Sequence, residues 1–277
     1  MSSKSAGKAR EAVAAEAAGR YRAPALDKGL DILELLAGTD ESHSQAEIAK
    51  ALGRSPSEIY RMLDRLVRRG YVRRVAGDRY ELSLKLFALS HQHAPLRRLV
   101  SQAVPPMRRF ARNANQSCHL AVYDRGGVTV VAQIDSPTYW GLSIRVGARV
   151  SLFNTGPGHV LLAFRAERER AFMLAEREAH AGDEAVPRGL EERLAAIRRK
   201  GHEVMASLQT EGVQDLSVPV LGPDGSAVAA LTCPFLRPVE RGAAPDLIQA
   251  LTLIKETGRE LSALVGGAPP AGGPPRD

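Results

Sequence analysis

The stretch Ser44–Arg74, SQAEIAKALGRSPSEIYRMLDRLVRRGYVRR, constrains the fold more than any other part of the chain. Ser44 and Glu47 have the spacing of a capping box, in which the hydroxyl caps the third helical amide and the carboxylate caps the serine's own. A helix is therefore expected from Gln45, with Ala46, Ile48, Ala49 and Leu52 as its apolar face and Gly53 as its stop. Ser55 and Glu58 repeat the box, and Pro56 suits a first helical position. In the second helix Ile59, Met62, Leu63, Leu66 and Val67 recur at i, i+3, i+4, i+7 and i+8, a buried stripe. Two capped helices joined by a short turn containing glycine form a helix-turn-helix.

The opposite face of the second helix carries Ser57, Arg61, Asp64, Arg65 and Arg68. From Arg54 to Arg74 seven arginines face two carboxylates, a net +5. Guanidinium groups donate paired hydrogen bonds to phosphate and to guanine. A solvated face is the competing reading on charge alone; the capped pair and the segment after it favour nucleic acid. After Gly70 the pattern turns to period two, with Tyr71–Val75 and Arg79–Leu82 flanking Ala76-Gly77-Asp78. That is a β-hairpin, placed as a wing. The residues expected at DNA are Ser44, Gln45 and Ser55 at the helix starts, Ser57, Glu58, Tyr60, Arg61 and Arg65 on the second helix, and Arg73, Arg74 and Arg79 in the wing.

Before this region, Leu26, Leu30, Leu33 and Leu36 or Ala37 mark a helix from Pro24. Residues 1–22 read as a flexible tail, 23–84 as the winged domain and 85–95 as a linker helix offering Leu86, Phe87 and Leu89 for packing. His91 and His93 are read as solvated. Residues 96–265 form a second domain and 266–277 a disordered Gly/Pro tail. The second domain opens with a long helix that Pro105-Pro106 should bend or break. Strands follow at His119–Tyr123, Val128–Ala132, Leu142–Val146, Val213–Val220 and Ala227–Pro234. A loop at Asn154–His159 leads to an apolar helix, Val160–Phe164, and Leu247–Leu264 closes the domain. Hairpin turns make the sheet largely antiparallel.

The order of these elements, with Leu26-Asp27-Lys28-Gly29-Leu30-Asp31-Ile32-Leu33, Glu47-Ile48-Ala49, Ile59-Tyr60-Arg61-Met62-Leu63, Gly70-Tyr71-Val72 and Tyr80-Glu81-Leu82-Ser83-Leu84, resembles the IclR family of bacterial transcription regulators. Pro56-Ser57-Glu58 departs from the Lys-Ser-Thr common in that family, placing a carboxylate where a hydroxyl is usual. Val146-Gly147-Ala148-Arg149, Thr155-Gly156-Pro157-Gly158 and Gly212 through Val220 are similar to its effector domain. The resemblance implies an α+β chain: an N-terminal winged helix-turn-helix, a linker helix and a GAF-like α/β domain. It implies operator DNA, a small metabolite (sugar acid, keto acid or aromatic acid), and a homodimer or dimer of dimers as partners. Thr155, Gly156, Pro157, Gly158, Asp215 and Thr232 are the residues expected at the effector. The glycine segment could cradle an anion at a helix start or make a tight turn only. Asp215 repels an anion unless it is paired, which makes a hydroxylated or amine-bearing ligand a rival.

Hydrophobic content of 44% allows a sizeable core, and two cysteines imply no disulfide framework. No apolar run of membrane-spanning length occurs, so a cytoplasmic protein without a membrane partner is expected. No cofactor, metal or catalytic residue is expected. Two alternatives stay open: a GAF-like thiol redox enzyme using Cys118 or Cys233, and a ligand sensor that does not bind DNA.

Overall fold

The computed structural model describes residues 23–180, 185–237 and 244–267. The expected tails lie outside them except at their inner edges. Gly266 is left-handed, and the Gly267 amide donates to the Ser262 carbonyl, so local structure runs past residue 265. The chain divides into two compact units after His93.

The first unit contains α1 (Pro24–Ala37), β1 (His43–Ser44), α2 (Gln45–Ala51), α3 (Pro56–Arg68), β2 (Val72–Val75), β3 (Arg79–Leu82) and α4 (Lys85–Gln92). Both capping boxes form at the expected residues. Gly53 turns the chain at φ 61°, and the Arg54 amide returns to the Ala49 carbonyl. Gly77 and Asp78, both left-handed, close the wing. Two-residue β1, not expected from sequence, pairs with β3 to give the order β1-β3-β2. Ile32, Leu36, Ile48, Ala49, Ile59, Leu63, Val72 and Tyr80 form the core. The leucine spacing in α1 misplaced the buried face: Leu26 and Leu30 are exposed, because the helix turns Ile32 and Leu36 inward. Ala46 is likewise exposed. No residue of α4 is buried.

The second unit is a three-layer α/β/α sandwich. Its six-stranded antiparallel sheet runs β6 (Arg149–Val150), β5 (Gly127–Ile134), β4 (Cys118–Asp124), β9 (Ala227–Leu236), β8 (Val213–Leu221), β7 (Glu203–Ala206). Helices α5 (Ala94–Ala114) and α9 (Leu247–Leu264) cover one face through Met107, Phe110, Ile254 and Leu261. Helices α6 (Gly156–Ala163), α7 (Glu167–His180) and α8 (Leu190–Lys200) cover the other through Val160, Leu161, Met173, Leu194 and Ile197.

Two expectations fail here, and of the bend or break expected at Pro105-Pro106 the break does not occur. Helix α5 runs through Pro105-Pro106 unbroken. The prolines remove donors to the Ser101 and Gln102 carbonyls, but neither of those residues is buried, while Ala103, Pro106, Met107 and Phe110 hold the inner stripe. Leu142–Val146 forms no strand; Val130 of β5 bonds to Gly147 and Ala148 instead, leaving 142–146 off the sheet. The apolar helix starts at Gly156, four residues early, because Thr155 caps it by accepting from the Gly158 amide.

Candidate functional site

Helix α3 buries Ile59 and Leu63 and exposes Ser57, Tyr60, Arg61 and Arg65 on the opposite side. Arg54 is tied to Asp31 at 2.9 Å and Arg68 to Asp64 at 2.9 Å. Among the described residues Arg61 and Arg65 have no carboxylate partner, so their guanidinium groups are available to a ligand.

Other expected contact residues are engaged within the fold. Glu58 accepts from the Ser55 amide and hydroxyl, and Lys28 of α1 pairs with it at 2.6 Å. The Lys28 hydrogen bond, helped by the cap, holds its carboxyl down to about 2. The carboxylate is therefore held toward α1. The Ser44 hydroxyl caps α2, and Gln45 donates to the Pro56 carbonyl at 2.8 Å. Arg79 donates to the Ser42 carbonyl and to Glu47 at 2.9 Å, which clasps the wing to the start of α2. Arg73 and Arg74 stay exposed, each beside a hairpin carboxylate, Glu81 and Asp78.

In the second unit a cavity of about 260 Å³ opens beside the start of α6. Leu142, Ile144, Val150, Pro157, Val213 and Pro234 supply its apolar wall. His119, Ser143, Thr155, Ser207, Gln209, Thr210 and Asp215 supply its polar atoms. The register explains the grouping. His119 lies opposite Thr232, Thr232 opposite Ser217, and Asp215 opposite Pro234, so these side chains share one face of β4, β9 and β8.

Of the expected effector residues, Thr155, Pro157 and Asp215 line the cavity, whereas Gly156, Gly158 and Thr232 stand behind its wall. The Thr232 hydroxyl is fully buried and bonded to Ser217 Oγ at 2.8 Å. A Cβ on Gly156 would lie 2.4 Å from Ser217 Oγ, and one on Gly158 would lie 2.3 Å from the Leu152 carbonyl oxygen. Both glycines therefore permit close packing of the first turn of α6. The anion cradle is nearly absent. Pro157 has no amide hydrogen, and the Gly158 and His159 amides bond to Thr155, leaving the Gly156 amide.

Burial in an apolar surround pushes Asp215 up to about 6 and His119 down to about 4. The imidazole is neutral at pH 7. His119 was missed as a site residue; its one sequence signal is a histidine inside an apolar strand. The neighbouring Cys118 faces the other layer, its thiol donating to the Met107 carbonyl at 3.6 Å. Burial pushes Cys118 up to about 12 and Cys233 well above the ordinary thiol range. Neither offers the accessible thiolate that a redox enzyme needs. Among the described residues no cluster of His, Cys, Asp and Glu is arranged to hold a metal, and no helix is long and apolar enough to cross a membrane.

Residues 25–76 match the IclR helix-turn-helix domain, and residues 91–263 match the family described as bacterial transcriptional regulator IclR C-terminal. The chain is 28% identical over 243 residues to the HTH-type transcriptional regulator KdgR of Escherichia coli, covering 86% of this chain and 91% of the relative. It is 29% identical over 238 residues to the glycerol operon regulatory protein of Streptomyces griseus, covering 83% and 90%. Its fold is similar to that of an IclR homolog from Microbacterium hydrocarbonoxydans solved in complex with 4-hydroxybenzoate, with TM-score 0.71, 19% identity and 87% and 98% coverage. The two matched domains cover most of the chain and fall in the order in which its units fold: the protein belongs to the IclR family of bacterial transcriptional regulators, whose DNA-binding part is the helix-turn-helix.

Proposed function

We propose that the exposed face of α3 reads operator DNA and that the cavity beside α6 binds a small organic effector that sets operator occupancy. Ser57, Tyr60, Arg61 and Arg65 form the reading face, with Arg73 and Arg74 on backbone phosphates. The observation that carries the reading is Arg61 and Arg65 standing unpaired opposite Ile59 and Leu63, beside Arg54 and Arg68, which are paired. One recognition helix spans few base pairs, so a palindromic site and a homodimer or dimer of dimers complete the reading. The exposed Leu26 and Leu30 of α1 and Phe87 and Leu89 of α4 supply apolar surface for such an assembly.

Operator fragments recovered by genome-wide mapping provide the test, read by fluorescence anisotropy. Arg61→Ala is expected to cost about 1–3 kcal/mol and to relax preference at one base pair. Unchanged affinity and preference would remove Arg61 from the reading face. Neutralising Arg74 is expected to weaken all sequences alike and lower the salt slope by about one unit. Arg79→Ala is expected to lower the melting temperature and leave that slope in place, since its Nε and Nη2 are held by Ser42 and Glu47. A slope reduced as much as by the Arg74 change would return Arg79 to the phosphate set.

A further inference from the structure

The chemistry of the cavity restricts what can occupy it, an argument that rests on the effector reading above. Among the described residues the wall contains no lysine or arginine. Among the described residues the start of α6 leaves one amide without a partner, that of Gly156, and it stands behind the wall rather than in it. Opposite stands Asp215, 8% exposed, whose carboxylate has no hydrogen-bond partner among the described residues. A carboxylate accepts several hydrogen bonds and donates none when ionised. His119, 3% exposed, also lines the wall, but its Nδ1 is closed off from the cavity and has no partner among the described residues. Covering such a carboxylate unsatisfied is costly, so a ligand that donates to Asp215 gains affinity that an apolar one lacks. An anion would instead meet Asp215 without a compensating cation.

Size narrows the class further. A volume of about 260 Å³ lies near the lower end of small-molecule pockets, about 300–1,000 Å³, which suits a small metabolite. Leu142, Ile144 and Pro157 give its carbon skeleton an apolar wall, and Ser143 supplies a further polar contact.

We propose that the effector is a small hydroxyl-rich molecule without negative charge, of the polyol or neutral sugar class, whose hydroxyls donate to Asp215 and share a hydrogen bond with His119. The carboxylic acids implied by family resemblance are disfavoured in this chain. With Nδ1 closed off, the neutral ring of His119 offers a hydroxyl a single role, donor or acceptor, fixed by its tautomer.

The test is calorimetric titration of the full-length protein at pH 7.5 with size-matched pairs: glycerol and glycerate, xylitol and xylonate, glucose and gluconate. Fluorescence of Trp140, the single tryptophan, is a second readout, because its segment continues into Leu142–Ile144. At least one neutral compound is expected to bind tenfold or more tightly than its acid and to change operator affinity. Asp215→Asn is expected to weaken that compound at least tenfold, and Ser143→Ala, on a segment outside the sheet, to weaken it less. Acids that bind more tightly than their neutral partners and shift operator affinity would overturn the ligand class and keep the effector reading. Silence of the whole panel in both readouts would overturn the class, and operator affinity insensitive to a cell metabolite extract would then overturn the effector reading too. Equal affinity of wild type and Asp215→Asn for the neutral compound would overturn the role of Asp215.

Discussion

Replacing Gly158 by alanine is expected to destabilise the C-terminal unit by about 3 kcal/mol or more, at the upper end of the usual cost of overpacking. The new Cβ would lie 2.3, 2.7 and 2.8 Å from the Leu152 carbonyl oxygen, its carbon and Cα. All three are backbone atoms, so no rotamer change relieves the overlap. Helix α6 must lift from the Leu152 segment, and its Thr155 cap and the buried Val160–Leu162 packing go with it. Gly156→Ala is a milder comparison, since the nearest atom is Ser217 Oγ, which can turn away after losing its bond to Thr232. Urea unfolding of the two variants measures the difference. Alanine at 158 with wild-type stability would place the first turn of α6 farther from Leu152 than described.

Asp215→Asn is expected to stabilise the unliganded protein by about 2 kcal/mol at pH 7.5. The side chain is buried with no partner among the described residues, and burial raises its carboxyl from the ordinary 3.8 to about 6. The full shift corresponds to about 3 kcal/mol; the cavity-facing oxygens retain some hydration, which lowers the figure. The sign follows from proton binding: between 3.8 and 6 the folded state holds a proton that the unfolded state has released. Wild-type stability due to this group is therefore complete below pH 3.8 and lost as pH rises through about 6. The advantage of the asparagine variant should vanish near pH 4 and saturate above pH 7. His119, lowered from 6.5 to about 4, acts in the opposite sense over the same window. It is present in both proteins, so the difference between their urea curves isolates Asp215. A pH-independent difference would mean that Asp215 is not desolvated.

What the sequence disclosed was set by the range of the forces involved. Capping boxes depend on residues three apart, so both starts of the helix pair and the left-handed turn at Gly53 were legible. The hairpin around Asp124–Gly127 and the helix Leu247–Leu264 were legible for the same reason. The inward turn of Glu58 was not, because it depends on Lys28, thirty residues earlier. The tie of Arg79 to Ser42 was not legible either, because Ser42 lies in a segment with no strand signal. The glycines of α6 were read for their amides, whereas their lack of Cβ matters, against Leu152 and Ser217. His119 joins Asp215 through the register of β4, β9 and β8, which periodicity within one strand cannot fix.

The internal fastening of the first unit governs the thermodynamics of its encounter with DNA. Lys28 to Glu58, Arg54 to Asp31, Gln45 to the Pro56 carbonyl and Arg79 to Ser42 join α1, α2, α3 and the wing independently of DNA. Little backbone entropy is then left to lose on association. The remaining ordering cost, about 0.5–1.5 kcal/mol per immobilised side chain, falls on Tyr60, Arg61 and Arg65. Binding by this head should therefore lack the large negative heat-capacity change that accompanies folding of a segment onto its target.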